Sequence, residues 1–469
     1  MTARRRVAVI GAGVTGLTAA FTIATRRPDV DLVVLEASDR VGGKILTTPF
    51  AGRPVDCGAD AFLARVPEAV ELCRELGLDS ILTAPAQTSA HVWVGGRLRR
   101  LPSGLVLGVP TDLDALADSG IVSPAGIARA AEDITRTEWI DSANGTDPDG
   151  RDDQSVGALI RARLGHEVHE KLVSPLLSGV NAGDADRLSL AAGAAQIAAA
   201  ARRSPSLITA LRQQVATVDP ATQGPVFHGI PVGTQALTDL LLARLTTAGI
   251  PIHRCCPVSD LTRHGPSWTL HTPLGPIEVD EVVLTAPARP TSALLRAVAP
   301  ETAADLAELE YASAAMVTVA VPKTALGQPL DASGFLVART DPLPTLTACS
   351  WASAKWAHLD DPDVAILRVS AGRYGDTHAL DLDDAALVDA IARDLGTTMG
   401  LDAAPIEWRV TRWVDCLPQF LPGHPARVAR WRGDLADRAP GLHLAGAAHD
   451  GLGIPACIRQ GRTAADAIA

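Results

Sequence analysis

The order of apolar and polar positions near the start of the chain predicts a strand, a helix and a second strand. Arg5–Ile10 is an almost continuous apolar run, which is typical of a buried parallel strand. A glycine turn follows, and helical periodicity then runs to about Arg26, before Pro28 ends it. Asp31–Leu35 is the next apolar run. Because parallel neighbours need a crossover, the chain is predicted to open with a βαβ unit.

Farther along, the pattern predicts a mostly helical region from Thr111 to about Gln214, with short strands before and after it. The other predicted elements are a helix over Pro67–Gly77, a hairpin over His91–Leu101 turning at Gly95–Gly96, a polar surface loop at Asn144–Gly150, short strands between Ile250 and Leu284, sheet strands at Ala312–Val321, Phe335–Thr340, Leu346–Trp351 and Ala365–Gly372, a helix near Asp383–Met399, and a last strand, glycine turn and helix from His443. This mixture indicates an α/β fold class of a mixed α+β kind.

Composition narrows the class of protein. Of the 469 residues, 47% are hydrophobic and 20% are charged, which is typical of a globular protein. The formal net charge of −11 argues against a nucleic-acid-binding protein, since that class needs a basic surface. The seven cysteines include no CxxC pair, so neither a zinc site nor a disulfide framework is predicted, and a reducing cytoplasm is expected.

Three apparent targeting or metal features have plainer interpretations. The longest bland apolar run, residues 190–201, is too short to cross a bilayer, so no transmembrane segment is predicted, and peripheral membrane contact is left open. The basic start of the chain leads into a glycine motif and is interpreted as a first strand, not a signal peptide. HEVHE at 166–170 lacks the HExxH spacing, so no metal ligand is predicted.

A dinucleotide-binding motif stands between the first strand and the first helix. The sequence GAGVTG at 11–16 has the GxGxxG spacing: Gly11 permits the tight turn, Gly13 lets a pyrophosphate approach, and Gly16 lets the helix pack on the strand. Glu36 follows the second strand at the distance expected of a carboxylate that binds ribose hydroxyls. The pattern therefore predicts a bound dinucleotide.

The segments that accompany this motif favour FAD over NAD. In RVGGK at 40–44, Arg40 and Lys44 can reach phosphates or the isoalloxazine edge. A glycine-rich segment from Gly446 to Gly453 near the other end of the chain would close a flavin site, which a simple NAD domain does not need. The absence of a second GxGxxG predicts that electrons pass to oxygen or another diffusible acceptor.

These motifs resemble those of a known family. RVGGK and DCGADAF at 56–62 look like segments of amine-oxidase-type flavoproteins. Further segments resemble the protoporphyrinogen/coproporphyrinogen oxidases: LPSGLVLGVPTDL at 101–113, DDQSVGALIRARLG at 152–165, LVSPLLSGVNAGDADRLSL at 172–190, GFLVAR at 334–339, ACSWASAKW at 348–356, ILRVSAGR at 366–373, TRWVDCLPQFLPGH at 411–424 and GLGIPACIRQGR at 451–462. The resemblance covers essentially the whole chain and is strongest to the Gram-positive and actinobacterial branch.

The resemblance implies a fold and an activity. The expected fold has a discontinuous Rossmann-like FAD domain (1–75, 225–292 and 405–469), a mixed-sheet substrate domain (76–105 and 293–404) and a helical domain (106–224). The expected activity is oxidation of coproporphyrinogen III to coproporphyrin III in haem biosynthesis, with non-covalent FAD, oxygen as acceptor and hydrogen peroxide as product. No catalytic base is assigned, because the flavin carries the hydride step. Docking of a downstream haem-pathway enzyme is left open.

Motifs and resemblance together give candidate site residues. The cofactor contacts are Gly11, Gly13, Val14, Thr15, Gly16, Glu36, Ala37, Arg40, Lys44, Gly58, Ala59, Asp60, Ala61, Val258, Trp413, Gly446, Gly451, Leu452, Gly453 and Ile454. The substrate contacts implied by the resemblance are Gly179 and Val180 on one side of the tetrapyrrole, with Phe335, Leu336 and Cys349 on the other. A gap-free count puts His91 where relatives bind a propionate with arginine, and Arg65, Arg97, Arg99, Arg100 and Lys355 are alternatives.

Three other functions compete with this expectation. Protoporphyrinogen IX oxidation is the nearest, since that substrate differs in having two fewer propionates. A flavin amine oxidase would need an aromatic cage beside the flavin, which two tyrosines and six phenylalanines supply poorly. A non-catalytic flavin- or porphyrin-binding protein is the third, and the intact set of cofactor motifs argues against it.

Overall fold

The computed structural model describes residues 4–139, 153–216 and 224–468. The predicted surface loop at Asn144–Gly150 lies outside these described residues. Two main sheets and a group of helices make up the described chain, which confirms the α/β fold class predicted from sequence. No helix in the described ranges is both long and apolar enough to cross a membrane.

A five-stranded parallel sheet is built from distant parts of the chain. Arg6–Ile10 occupies its centre, between Asp31–Leu35 and Glu281–Leu284. Ile252–His253 and Leu442–Leu444 form the two edges, and each neighbouring pair of strands is parallel. The central strands are buried because helices cover both faces, which is why their sequences are continuous apolar runs. The predicted βαβ opening is confirmed.

The first helix, Val14–Arg26, begins directly after the glycine turn and lies on one face of this sheet. It packs against Ile454–Asp466, near the C-terminus, and against Gln235–Thr247. The helices Val14–Arg26 and Ile454–Asp466 approach closely, since a Cβ atom on Gly461 would lie 2.5 Å from the carbonyl oxygen of Thr15. The two ends of the chain are therefore held together by one helix pair.

A seven-stranded mixed sheet forms the second layer. Its strands, in spatial order, are Glu407–Pro418, Tyr311–Pro322, Val364–Ala371, Leu346–Trp351, Gly334–Val337, His91–Val94 and Arg97–Arg100. The predicted strands and the predicted hairpin at Gly95–Gly96 are confirmed. The strand Glu407–Pro418 was not predicted; it is an edge strand whose partly exposed faces weaken the apolar pattern.

Along the chain, a group of helices comes between the first-sheet strands Asp31–Leu35 and Ile252–His253. They span Leu113–Ser119, Pro124–Ala131, Val156–Leu164, His166–Val168, Ser174–Asn181, Leu190–Gly193, Ala195–Arg203 and Leu207–Ala216, with a π-helical turn at His169–Val173. Their buried aliphatic side chains form one core, which also contacts Val92 and Val94 of the seven-stranded sheet. The predicted helical region is thereby confirmed over residues 113–131 and 156–216.

The remaining elements connect or cover the sheets. The other helices are Pro67–Leu76, Ala288–Leu295, Pro300–Ala307, Ala352–Lys355, Asp384–Met399 and His424–Arg438, with short 3-10 turns at Asp79–Ile81, Lys323–Ala325, Ala357–Leu359 and His378–Leu380. The smaller sheets pair Thr47–Phe50 with Arg53–Asp56, Phe62–Leu63 with Phe227–His228, Leu105–Val106 with Val109–Pro110, and Asp260–His264 with Ser267–Thr272 and Gly275–Val279. The predicted helices near residues 67–77 and 383–399 are confirmed.

Candidate active site

A cavity of about 900 Å³ extends from the carboxyl ends of the five-stranded sheet to the seven-stranded sheet. Its lining includes Gly11 and Glu36 from the first sheet, Gly179 from the helical region, and Phe335 and Cys349 from the second sheet. Open parallel sheets bind ligands at the carboxyl ends of their strands, and this volume lies at the upper end for ligand pockets. The cavity therefore has room for a large cofactor together with a substrate.

The glycine turn at the first sheet is shaped to receive an anion. A Cβ atom on Gly16 would lie 1.9 Å from the carbonyl oxygen of Gly11, so only glycine fits there. A Cβ atom on Gly13 would meet nothing closer than the Gly43 Cα at 3.8 Å, which leaves this stretch of backbone open to the cavity. Gly13 caps the helix Val14–Arg26 without a side-chain hydrogen bond, so amide donors of the first turn can bind a phosphate.

The Glu36 carboxylate lies at the end of the second strand and lines the cavity. Its Oε2 accepts a hydrogen bond from the Ala12 amide at 2.7 Å. Its Oε1 accepts bonds from the Ser38 amide at 2.8 Å and from the Ser38 hydroxyl at 2.7 Å. These three bonds fix the orientation of the carboxylate, and Oε2, which accepts only one of them, keeps capacity to accept a ribose hydroxyl.

The opposite wall of the cofactor region comes from the strand Glu407–Pro418. The Lys44 ammonium group donates a hydrogen bond to the Cys416 carbonyl, and burial lowers the pKa of Lys44. The Trp413 indole donates to the Cys57 carbonyl at 2.9 Å, and its ring lies 3.5 Å from the position of a Cβ atom on Gly58. Lys44, Gly58 and Trp413, which the sequence motifs place far apart, thus share one wall.

The Asp60 carboxylate joins three of the segments that carry the family resemblance. Both its oxygens accept hydrogen bonds from Lys355 Nζ at 3.0 Å, and Trp356 Nε1 donates to Oδ2 at 2.9 Å. Arg368 Nη1 lies 2.9 Å from the same Oδ2. Burial alone would raise the pKa of Asp60, but the two neighbouring cations outweigh it and hold that pKa well below its usual range.

Most candidate cofactor residues meet at this cavity. Those that line it are Gly11, Gly13, Val14, Thr15, Glu36, Ala37, Lys44, Gly58, Ala59, Asp60, Val258, Trp413, Leu452 and Ile454. Those that do not are Gly16, Arg40, Ala61, Gly446, Gly451 and Gly453. Arg40 turns away because its guanidinium donates to the carbonyl oxygens of Val41, Gly43 and Ile45. The glycines of the C-terminal segment support the lining residues; Gln460 Nε2, for example, donates to the Gly451 carbonyl at 3.1 Å.

The expected tetrapyrrole walls are present but touch each other at one point. Gly179 on the helix Ser174–Asn181 faces Leu336, and a Cβ atom on Gly179 would lie 2.9 Å from Leu336 Cδ2. Phe335 and Cys349 pair across neighbouring strands, and both line the cavity. Gly179 and Leu336 both line the cavity and lie close together, and the placement of a ring between them stays a prediction. Val180 is in the same helix, and its side chain lies outside the described residues.

Most of the basic residues that were expected to bind propionates do not line the cavity. Arg65 and Arg97 are exposed and do not line the cavity. His91 is buried against Trp351, with ring centroids 5.5 Å apart, and burial lowers its pKa. Arg100 binds Asp331 instead. Lys355 does line the cavity, but its ammonium group is bound to Asp60.

Besides Arg368, three basic residues that the sequence analysis missed line the cavity. They are Arg339, Arg373 and His378, on the loops that follow the strands Gly334–Val337 and Val364–Ala371. The two arginines are the last residues of GFLVAR and ILRVSAGR, so the resemblance itself contained the information that could have identified them. Among the described residues, no group of three or more side chains is arranged to hold a metal ion.

The fold, the glycine turn and the cavity define a flavin-dependent oxidoreductase, and the comparison with family models agrees. The model described as flavin containing amine oxidoreductase matches residues 14–469, and the chain belongs to that family. Within it, the chain is similar to proteins named coproporphyrinogen III oxidase. It is 33% identical to the one from Bacillus subtilis (strain 168), over 98% of this chain and 97% of the relative. It is 36% identical to the one from Mycobacterium bovis, over 97% and 95%.

Solved structures give the same fold. A proposed protoporphyrinogen oxidase from Exiguobacterium sp. 255-15 superposes with a TM-score of 0.86 at 30% identity, covering 100% of this chain and 99% of its own. Cyclohexylamine oxidase from Brevibacterium oxydans IH-35A superposes with a TM-score of 0.71 at 18% identity, covering 99% of each chain. The second likeness shows the fold alone.

Proposed function

We propose that this protein is an FAD-dependent coproporphyrinogen III oxidase of haem biosynthesis that uses oxygen as electron acceptor. The observation that carries the proposal is the single cavity that joins the glycine turn to the apolar wall formed by Phe335, Leu336 and Cys349. The names of the full-length bacterial relatives support the choice of substrate. The overall reaction converts coproporphyrinogen III and three molecules of oxygen into coproporphyrin III and three molecules of hydrogen peroxide.

The residues of the cavity fit FAD in particular. An adenosine ribose suits the fixed carboxylate of Glu36, and a pyrophosphate suits the open backbone at Gly13 and the uncapped helix behind it. Val258 lies on the adenine side of the first sheet, whereas Lys44, Gly58 and Trp413 lie toward the second sheet. We propose that the cofactor is bound without a covalent link.

The chain itself binds and orients the substrate. A flavin held at the Gly13, Glu36 and Lys44 end of the cavity would supply the two-electron acceptor for a hydride equivalent from the macrocycle, with oxygen as the final acceptor. Burial raises the pKa of the Cys349 thiol and keeps it protonated, so Cys349 is not assigned as a base. We propose that pyrrole protons leave to solvent, and no side chain is assigned as a base.

The division of the chain follows from the same proposal. We propose an FAD domain at 1–75, 225–292 and 405–469, a substrate domain at 76–105 and 293–404, and a helical domain at 106–224. The five-stranded sheet, the seven-stranded sheet and the helical core support this division. A cytoplasmic location is proposed with it. Product hand-off to a later haem-pathway enzyme remains a prediction.

An anaerobic bleaching experiment tests the proposed function. The yellow holoenzyme is mixed without oxygen with coproporphyrinogen III, protoporphyrinogen IX or a simple amine, and the flavin absorbance is followed. We expect fast bleaching by coproporphyrinogen III; faster bleaching by either of the others would contradict the proposal. Admission of oxygen should then yield coproporphyrin III and three equivalents of peroxide without added NADH or NADPH.

A further inference from the structure

Apart from Glu36, Lys44 and Asp376, the charged groups that line the cavity fall into two sets. The inner set is Asp60, Lys355 and Arg368, in which Asp60 binds both cations. The arginine and lysine side chains there are only 4% and 18% exposed. The outer set contains Arg339, Arg373 and His378, whose side chains are 36%, 32% and 56% exposed. We call these three residues the cationic rim, since they lie where the cavity meets solvent.

Backbone and side-chain bonds bring the rim together from separate segments. Arg339 Nη1 donates to Asp184 Oδ1 at 2.6 Å, which links the loop after Gly334–Val337 to the end of the helical region. The Tyr374 amide donates to the Ala182 carbonyl at 2.7 Å, which places Arg373 beside the same segment. Both arginines therefore lie on one stretch of the rim.

The Asp376 carboxylate is hydrogen-bonded to the His378 ring and not to the Arg373 guanidinium. The Nδ1 atom of His378 lies 2.5 Å from Asp376 Oδ1, and Nε2 lies 2.7 Å from the Pro344 carbonyl. Since both ring nitrogens face acceptors, this arrangement favours the protonated imidazole. Its bond to Asp376 accordingly raises the pKa of His378. Arg373 Nε lies 3.7 Å from Asp376, beyond hydrogen-bond distance.

The two guanidinium groups consequently keep most of their donors. Each guanidinium has five N–H donors; Asp184 occupies one on Arg339, and within the described chain no hydrogen bond occupies the Arg373 side chain. Deeper in, the wall is apolar at Leu336 and Phe335. A ligand that fits this arrangement has a flat apolar body and carboxylates at its outer edge, and the planar fork of arginine suits a carboxylate.

Resting on the proposed function, we propose that Arg339 and Arg373 bind propionates of the porphyrinogen at the cavity mouth, with His378 as a positioning residue that keeps Asp376 away from Arg373. This arrangement favours a substrate with four carboxylates over one with two. These propionate contacts are remote from the reacting bridge carbons, so they act almost equally in the ground and transition states. They therefore affect which substrate binds more than they affect the rate of the chemical step.

The test compares Arg339→Gln and Arg373→Gln with Arg412→Gln in the holoenzyme. Arg412 also binds an aspartate, Asp384, with 28% of its side chain exposed, but it does not line the cavity. The probes are coproporphyrin III and protoporphyrin IX, titrated by porphyrin fluorescence. We expect each rim variant to weaken coproporphyrin III binding about ten- to a hundredfold and to raise KM more than it lowers kcat, with a smaller effect on protoporphyrin IX.

His378→Gln tests the positioning role through a pH profile. In the wild type, affinity for coproporphyrin III should fall as pH rises through the raised pKa of His378, since deprotonation leaves Asp376 to attract Arg373. His378→Gln should be weak at all pH values and lose this dependence. A pH profile identical to that of the wild type would overturn the positioning role.

Two further outcomes distinguish failure of the rim assignment from failure of the proposed function. If the wild type oxidises coproporphyrinogen III but the rim variants behave like Arg412→Gln, or lose both porphyrins equally, the rim assignment is overturned and the proposed function stands. If the wild type neither oxidises coproporphyrinogen III nor binds its product, the proposed function and the rim assignment fail together.

Discussion

At the scale of single residues, Asp60 links two cations and an indole beside the cavity. One carboxylate binds Lys355, Arg368 and the Trp356 indole, and the three partners come from the second sheet and the helix beside it. Removal of a negative charge here leaves two cations with little solvent and no counter-ion. Such a loss costs more than the intact pair contributes, because the remaining charges stay buried.

Asp60→Asn should therefore lower the free energy of unfolding by about 3–5 kcal/mol, measured by urea denaturation of the holoenzyme. Asp466→Asn is the matched control, since it removes a carboxylate paired with Arg26 at a site where the side chains are 54% and 56% exposed. That control should cost less than about 1 kcal/mol. Equal effects of the two changes would contradict the role of Asp60.

Gly179→Leu tests the contact between the helical region and the second sheet. Its side chain would collide with Leu336, since even a Cβ atom lies 2.9 Å from Leu336 Cδ2, and the added atoms would fill the cavity. We expect turnover to be abolished while the flavin absorbance stays at the wild-type level. Gly433→Leu is the control, because nothing lies within 4 Å of a Cβ atom at that helical glycine. Full activity of Gly179→Leu would show that the substrate lies elsewhere.

At the scale of elements, the helix His424–Arg438 packs on the C-terminal glycine segment through two buried histidines. His424 Nε2 lies 2.8 Å from the His449 carbonyl oxygen, and the Trp431 ring is 5.9 Å from each imidazole. Burial lowers the pKa of His424 to about 4 and that of His449 to about 3. Both rings are therefore neutral in the folded protein, beside the cavity-lining residues Ala447 and Ala448.

Acid should consequently destabilise the packing of the helix His424–Arg438 on the C-terminal glycine segment. The unfolded chain binds protons near pH 6.5 and the folded chain does not, so stability is full above that pH and falls as pH decreases toward 4. The loss is about 1.4 kcal/mol per pH unit for each histidine. Thermal unfolding followed by flavin fluorescence should show it, and His449→Gln should make the decline shallower. An unchanged slope in that variant would contradict the assignment.

How far the sequence predicts each element depends on how much of that element is buried. Asp31–Leu35 and Leu346–Trp351 were predicted to the residue; the first is apolar after Asp31, and the second has buried residues at Leu346, Cys349 and Trp351. The edge strand Glu407–Pro418 and the helix His424–Arg438 were missed, because exposed and charged positions interrupt their periodicity. The glycine turn was predictable because backbone geometry restricts it to one spacing.

Local periodicity did not predict the rim, although the segments that carry the resemblance end in both of its arginines. Arg339 and Arg373 are placed by contacts with Asp184 and Ala182, more than 150 residues away in the chain. No local periodicity encodes such contacts. Counting along the chain to His91 likewise failed to reach the cavity, because that side chain points into the core beside Trp351.

At the scale of the whole molecule, one cofactor region is assembled from remote segments. Cys57 and Cys457 lie near it, yet both are buried, and Cys57 lies outside the cavity lining. We expect acid or heat denaturation to release the flavin completely into the supernatant, identified as FAD by chromatography. Flavin that stays with the precipitated protein would contradict non-covalent binding.

The parallel sheet closes with Leu442–Leu444, an edge strand drawn from the final part of the described chain, beside Glu281–Leu284. During synthesis, the ribosome must therefore translate past residue 444 before the nucleotide-binding layer can close. Helix pairing between Val14–Arg26 and Ile454–Asp466 imposes the same delay. Yellow colour in a cell extract thus reports translation beyond this strand, and a chain truncated before residue 442 would be colourless however well its helical region folds.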